Sequence, residues 1–260
     1  VPTLSVTLVQ KASSTDPAVN RAALVVVDEV ADQQRPDLVV LPEAYARDFG
    51  PAGSDVAPYA EELDGPFVTR LSGLAARHGF TLVAGMFQRS EDPERPYNTL
   101  VVVGPEGLRA TYRKIHLYDS FGYRESDRLS PGPLEPVVVD VAGVRVGLMT
   151  CYDLRFPEMA RALVDRGAEL LVVPSAWVAG ERKVAHWRTL LAARAIENTV
   201  YVAAAGQPGP RYTGHSALVA PTGDVVAELG EDEGVLTAAV ERTLLEEVRR
   251  ANPSLANRRL

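Results

Sequence analysis

Short Val-rich runs recur along this chain, and between them apolar residues return at helical spacing. Runs of four to eight apolar and β-branched residues bounded by Gly, Pro or Asp read as strands. The pattern predicts strands over 4–9, 37–41, 81–86, 98–103, 108–113, 136–141, 144–150, 169–173, 200–205, 216–220, 224–229 and 234–240. Helices are predicted over 17–33, 66–78, 157–166, 184–198 and 243–251. The second opens with Pro66 and puts Val68, Leu71, Leu74 and Ala75 on one face. The fourth repeats Val184, Trp187, Leu191 and Ala195, and Pro17 and Pro157 suit first helical turns. Gly104-Pro105-Glu106-Gly107, Ala142-Gly143 and Thr222-Gly223-Asp224 join neighbouring strands tightly, so the sheets cannot be wholly parallel. Twelve strands are many for one flat sheet, and two packed sheets with helices outside fit better. The expected class is α/β. No linker, repeat or low-complexity tract marks a boundary. One domain over 1–240 is expected, with a tail helix in 241–260.

Composition narrows the function classes. The 260 residues are 46% hydrophobic and 23% charged, ordinary for a globular chain. The net charge of −7 and pI near 5.2 argue against nucleic acid as a partner. No apolar run approaches the ~20 residues that span a bilayer, so no membrane role is expected. The opening VPTLSVTLVQ lacks a basic leader and reads as a first strand. One cysteine excludes an internal disulfide framework and a thiolate metal cluster, and a reducing, cytoplasmic setting is expected.

Three residues stand just past predicted strand ends, where α/β sheets place ligands. Cys151 follows Val144–Thr150 and precedes a turn and a helix opening at Pro157. A lone cysteine is as easily a small buried hydrophobe as a nucleophile. Glu43 follows Asp37–Leu41, where an acid is more often a solvated loop residue. Lys114 follows Leu108–Arg113 in a chain with 24 Arg and only 3 Lys. A lysine kept against that bias suits a site needing a compact ammonium. A free thiol is only about 3% thiolate at pH 7, so a nucleophilic Cys151 needs a base or cation beside it. Glu43 and Lys114 would supply both. His78, His116, His186 and His215 show no metal-ligand spacing, and no GxSxG, Walker A or GxGxxG motif occurs. A Cys–His dyad stays open, although no pattern selects its histidine.

The segments LPEAY (41–45), YRKIHLYD (112–119) and TCYDLRFPE (150–158) resemble the nitrilase, or carbon–nitrogen hydrolase, superfamily. The likeness extends over roughly 4–240 and includes PSAW (174–177), AHW (185–187), ARAIEN and YTGHS (212–216). It implies a four-layer α-β-β-α sandwich of two mixed sheets, a homodimer or higher homo-oligomer, and a Glu–Lys–Cys triad without metal or organic cofactor. Carried over, Glu43 is the base, Lys114 the oxyanion stabiliser and Cys151 the nucleophile. Glu125, in YRES (123–126), matches a second glutamate that positions the lysine and the substrate. The stretch CYDLRFPE is similar to the omega-amidase and deaminated-glutathione amidase branch, which implies a small carboxylate-bearing amide as substrate. Arg155 then suits the carboxylate, with an ion pair to Glu158 or Asp153 as the structural alternative. The Tyr152 backbone N–H would complete the oxyanion site. Tyr45, Tyr118, Phe121 and Trp177 are expected to line the pocket, with Arg47, Asp48 and 51–62 near its mouth. The chain departs from the branch at Lys183-Val184, where Gly-Pro is usual, and in a short 206–212. Nitrilase, carbamoylase, acyl-transfer and non-catalytic binding roles are the alternatives on the same fold.

Overall fold

Alternation along the first strand, β1 (Thr3–Gln10), divides the core in two. Leu4, Val6 and Leu8 point into one apolar cluster and Val9 into another. The computed structural model describes residues 3–259. Val1 and Pro2, at the start of the predicted first strand, and Leu260, at the end of the tail, lie outside the described residues.

After β1 come helices α1 (Pro17–Ala23) and α2 (Val25–Gln34), strand β2 (Leu38–Val40) and helix α3 (Pro66–His78). Next are β3 (Thr81–Gln88), β4 (Tyr97–Gly104), β5 (Gly107–Arg113) and a two-residue hairpin, β6 (Asp119–Ser120) with β7 (Tyr123–Arg124). The second half holds β8 (Val138–Val141), β9 (Val144–Leu148), α4 (Pro157–Asp165), β10 (Leu170–Val172), α5 (Lys183–Asn198) and β11 (Tyr201–Ala204). It ends with β12 (Ala217–Val219), β13 (Val225–Glu228), β14 (Gly234–Glu241) and α6 (Arg242–Ala251). One six-stranded sheet runs β14-β1-β2-β3-β4-β5 and the other β13-β12-β11-β10-β9-β8. Each has three central parallel strands, β1-β2-β3 and β9-β10-β11, flanked by antiparallel pairings.

The inner faces of both sheets share one core, with Val40, Val83 and Leu100 from the first and Val146, Leu148 and Leu170 from the second. Val39, Leu82 and Val101 on the outer face of the first sheet pack under Leu24, Val27, Phe67 and Leu71 of the helices. Each such buried side chain contributes about 1.5–3 kcal/mol. Together the layers make the expected α-β-β-α sandwich. The expected helix over 17–33 divides at Leu24, where the Val27 N–H bonds the Leu24 carbonyl at 3.0 Å. Three consecutive valines follow, and β-branched residues propagate a helix less readily. The β6–β7 hairpin had no signal in the sequence, being too short for alternation to register. α6 folds back on its own chain, with Leu245 buried and Arg249 donating to the carbonyls of Thr199 (3.0 Å) and Ala168 (3.2 Å). Among the described residues no helix is long and apolar enough to cross a membrane.

Candidate active site

The central parallel strands end beside one another, and the loops leaving them carry the chemistry. Past β2 the chain turns over β3 at Gly85. The Gly85 N–H bonds the Pro42 carbonyl at 3.3 Å and its carbonyl accepts from the Ala46 N–H at 3.0 Å. A Cβ on Gly85 would lie 2.8 Å from the Glu43 Cα, so only glycine lets the Glu43 backbone come this close. Glu43 is 1% exposed, and its carboxylate is fully engaged. Oε1 accepts from Lys114 Nζ at 2.9 Å and Asn98 Nδ2 at 2.8 Å. Oε2 accepts from the Ala176 N–H at 2.7 Å, past the end of β10 in the other sheet. The Gln207 amide donates to the Glu43 carbonyl at 2.8 Å.

Lys114 leaves β5 with its N–H on the Asn98 carbonyl and its carbonyl accepting from Gly132, both at 2.8 Å. Its ammonium, buried between the sheets, also donates to Glu125 at 2.9 and 3.1 Å. Glu125 opens a 3₁₀ turn (Glu125–Asp127) directly after β7. Thus the four-residue approach from Phe121 positions a side chain that bonds back to Lys114.

Cys151 begins a second 3₁₀ turn (Cys151–Arg155) in left-handed backbone, φ 46°, with its N–H on the Pro174 carbonyl at 3.0 Å. A non-glycine residue there costs of order 1–3 kcal/mol and is found where a reactive side chain must be aimed. Asp153, fully buried, fixes this turn to the lysine loop. It accepts from the Thr150 N–H at 2.8 Å and the Tyr112 hydroxyl at 2.6 Å, and pairs with His116 Nδ1 at 2.7 Å. His116 is thereby committed to Asp153, and the charged groups that act on the thiol are Glu43, Lys114 and Glu125. Glu43, and none of the described histidines, lines the cavity with Cys151.

Burial pushes the Cys151 thiol well above its ordinary value, Glu43 adds to the rise, and Lys114 opposes it. Burial alone would depress Lys114, yet Glu125 and Glu43 outweigh it and hold the ammonium well above the usual lysine range. Burial and Glu43 raise Glu125, against the pull of Lys114. The resting site therefore holds a thiol and an ammonium. The folded state keeps the thiol proton where the unfolded chain has lost it, so stability falls as pH rises past the unfolded thiol's pKa near 9. Between pH 8 and 10.5 the melting temperature of the wild type should drop more steeply than that of Cys151→Ala. Parallel thermal melts check this, and coincident slopes would contradict it.

Glu43, Lys114, Glu125 and Cys151 line the floor of a cavity of about 510 Å³, within the range of small-molecule sites. Tyr118, Phe121, Tyr152, Arg155 and Trp177 line its walls. Arg155 makes neither ion pair considered for it. Its guanidinium lies 4.8 Å from the Trp177 ring centre, with Nε and Nη2 buried and unpartnered. Tyr45 is the correction. Ala44 takes φ 53° where the chain passes beside β3 at Gly85. Tyr45 is thereby buried in the cluster beneath the helices, away from the cavity. The segment 49–56 forms one wall. Asp48 stands behind it, ion-paired to Arg211 and accepting from the Tyr212 hydroxyl at 2.9 Å. Asn98 was not singled out by the sequence, whereas Lys183, Gln207 and Arg211 fall in the two segments where the chain departs from the branch, without being named there as site residues. Among the described residues no cluster of His, Cys, Asp and Glu has the makings of a metal site.

The sequence profile of the carbon–nitrogen hydrolase family matches residues 5–250. Deaminated glutathione amidase of Escherichia coli O157:H7 is 43% identical over 223 residues, 85% of this chain and 84% of that protein. An omega-amidase of Xenopus laevis is 37% identical over 252 residues, 92% of this chain and 88% of its own length. The crystal structure of a CN-hydrolase superfamily protein from Xanthomonas campestris, with an arsenic adduct in its active site, superposes with a TM-score of 0.90. It shares 32% identity and covers 100% of this chain and 98% of that one.

Proposed function

Since the chain belongs to the carbon–nitrogen hydrolase family, we propose that Glu43, Lys114 and Cys151 hydrolyse a small carboxylate-bearing amide to acid and ammonia. The chain is an amidase, and its chemistry is cysteine-based. The observation that supports the residue roles is the Lys114 ammonium bonded to the Glu43 carboxylate in the same cavity that Cys151 lines.

Glu43 removes the Cys151 proton as sulfur attacks the amide carbon, because the thiol is too weak an acid here to ionise alone. The carbonyl oxygen becomes an oxyanion between the Lys114 ammonium and the Tyr152 N–H. That N–H lies in the first turn of a 3₁₀ segment, where donors lack internal partners. Each such donor is worth about 3–4 kcal/mol to the transition state. Glu43 passes the proton to the leaving nitrogen, ammonia departs and a thioester remains on Cys151. Glu43 then deprotonates water, which attacks the thioester. The acid leaves and the proton returns to sulfur. Glu125 holds Lys114 in place and, through its negative charge, keeps the ammonium protonated.

Arg155 supports the acidic end of the substrate. Two buried, unpartnered guanidinium nitrogens match the fork of a carboxylate. Arg155→Ala should lower kcat/KM for glutaric acid monoamide about 10- to 100-fold more than for butyramide. Ammonia release from both amides measures this, and equal losses would assign Arg155 to structure. The same reading includes a homodimer, a cytoplasmic setting supported by the need for a free thiol, and a hydrolase unit over 1–240 followed by the tail helix. Light scattering tests the dimer, and a monomer at micromolar concentration would refute it.

A further inference from the structure

Charge accounting in the cavity leaves three cations without an acid, Arg128, Arg155 and Lys183, of which only Arg128 is held by a backbone carbonyl. The lining carboxylates are Glu43 and Glu125, and both bond Lys114. Arg211 pairs with Asp48, and Arg128 donates to the Ser54 carbonyl at 3.2 Å. Arg155 and Lys183 have no carboxylate within ion-pair distance among the described residues.

Lys183 is held in place. It opens α5, and its carbonyl accepts from Trp177 Nε1 at 3.0 Å, the indole whose face carries Arg155. Its ammonium lies 4.0 Å from the Phe121 ring centre and donates to the Tyr118 hydroxyl at 3.2 Å. Phe121 occupies the tip of the β6–β7 hairpin at φ 53°, followed by Gly122 at φ 79°. Phe121 is 72% exposed. An exposed aromatic in left-handed backbone gains nothing as core, whereas a ring over an ammonium gains a cation–π contact. Only one of the three ammonium protons has a partner in the hydroxyl. Desolvation and the nearby Arg155 charge press the Lys183 pKa downward, a strain that a bound anion relieves.

We propose that Lys183 is a specificity-determining residue which, with Arg155, selects amides whose end remote from the scissile bond carries two negative charges. Arg155 takes one carboxylate bidentately through Nε and Nη2. Lys183 supplies the point charge for the second through its free protons. A dianion then pairs with both Arg155 and Lys183, whereas a monoanion leaves one of this pair uncompensated. This rests on the amidase reading above and adds to it the charge of the substrate.

The test compares the monoamide of propane-1,2,3-tricarboxylic acid, with two free carboxylates, and the monoamide of glutaric acid, with one. The wild type should favour the first in kcat/KM. Lys183→Gln should lower that preference about 10- to 100-fold, and Lys183→Arg should restore most of it. Calorimetric binding of both amides to Cys151→Ala protein, with and without Lys183→Gln, should give the same ratio and needs no turnover. Failure of hydrolysis with this binding preference intact would count against the amidase reading alone. A preference that Lys183→Gln leaves unaltered, or a wild type that favours the monoanion, would overturn the proposal.

Discussion

Cys151→Ala should abolish ammonia release, with kcat falling on the order of 10⁴- to 10⁶-fold. The alanine removes the only thiol in the chain and with it the acyl acceptor. The fold should tolerate the change. Cys151 is held by its backbone N–H on Pro174 and by Asp153 beneath the turn, and neither contact uses the thiol. Far-UV circular dichroism and melting at pH 7 should therefore match the wild type while turnover is lost. Residual turnover within tenfold of wild type would mean that the nucleophile lies elsewhere.

Glu43→Gln should cost about 10²- to 10⁴-fold in kcat, the span general base catalysis supplies. The substitution keeps shape but not charge. The thiol loses the group that takes its proton, and burial leaves almost none of it ionised at neutral pH. Lys114 keeps its bonds to Glu125, so the ammonium is not orphaned. The amide can still accept from one of its neighbours, but its own NH₂ then faces either Lys114 or the Ala176 N–H, donor against donor. Some loss of stability should accompany the loss of rate. Single-turnover kinetics separates the two effects. Slow acylation in protein that remains folded supports the role of base, and acylation at the wild-type rate would remove Glu43 from that step.

Much of this site was legible in the sequence because its parts follow strand ends. Val-rich runs announce β2 and β9, the run after the Gly107 turn announces β5, and the residues just beyond them are Glu43, Lys114 and Cys151. The order of strands within each sheet had no such signal, since it depends on which edges meet in space. Resemblance in the motifs, rather than periodicity, supplied the roles. The reading failed where a local backbone choice decided direction. Tyr45 shares a motif with Glu43, but the left-handed Ala44 between them sends the two side chains to different layers. Asn98 was hidden inside β4, where a buried polar residue looks like any strand position until its carboxylate partners are seen. Lys183 was visible as a departure from a motif, but its aromatic cage comes from a hairpin sixty residues away. That hairpin is too short to be predicted.

If turnover runs through a thioester, an acyl group passes through Cys151. Intact-mass spectrometry of Glu43→Gln protein, quenched in acid after mixing with glutaric acid monoamide, tests it most directly. The protein should be heavier by the amide's mass less ammonia, with peptide mapping that puts the acyl group on Cys151. Its absence from Cys151→Ala treated alike is also predicted. An unmodified Cys151 while the same sample releases ammonia, or an acyl group on another residue, would contradict the account.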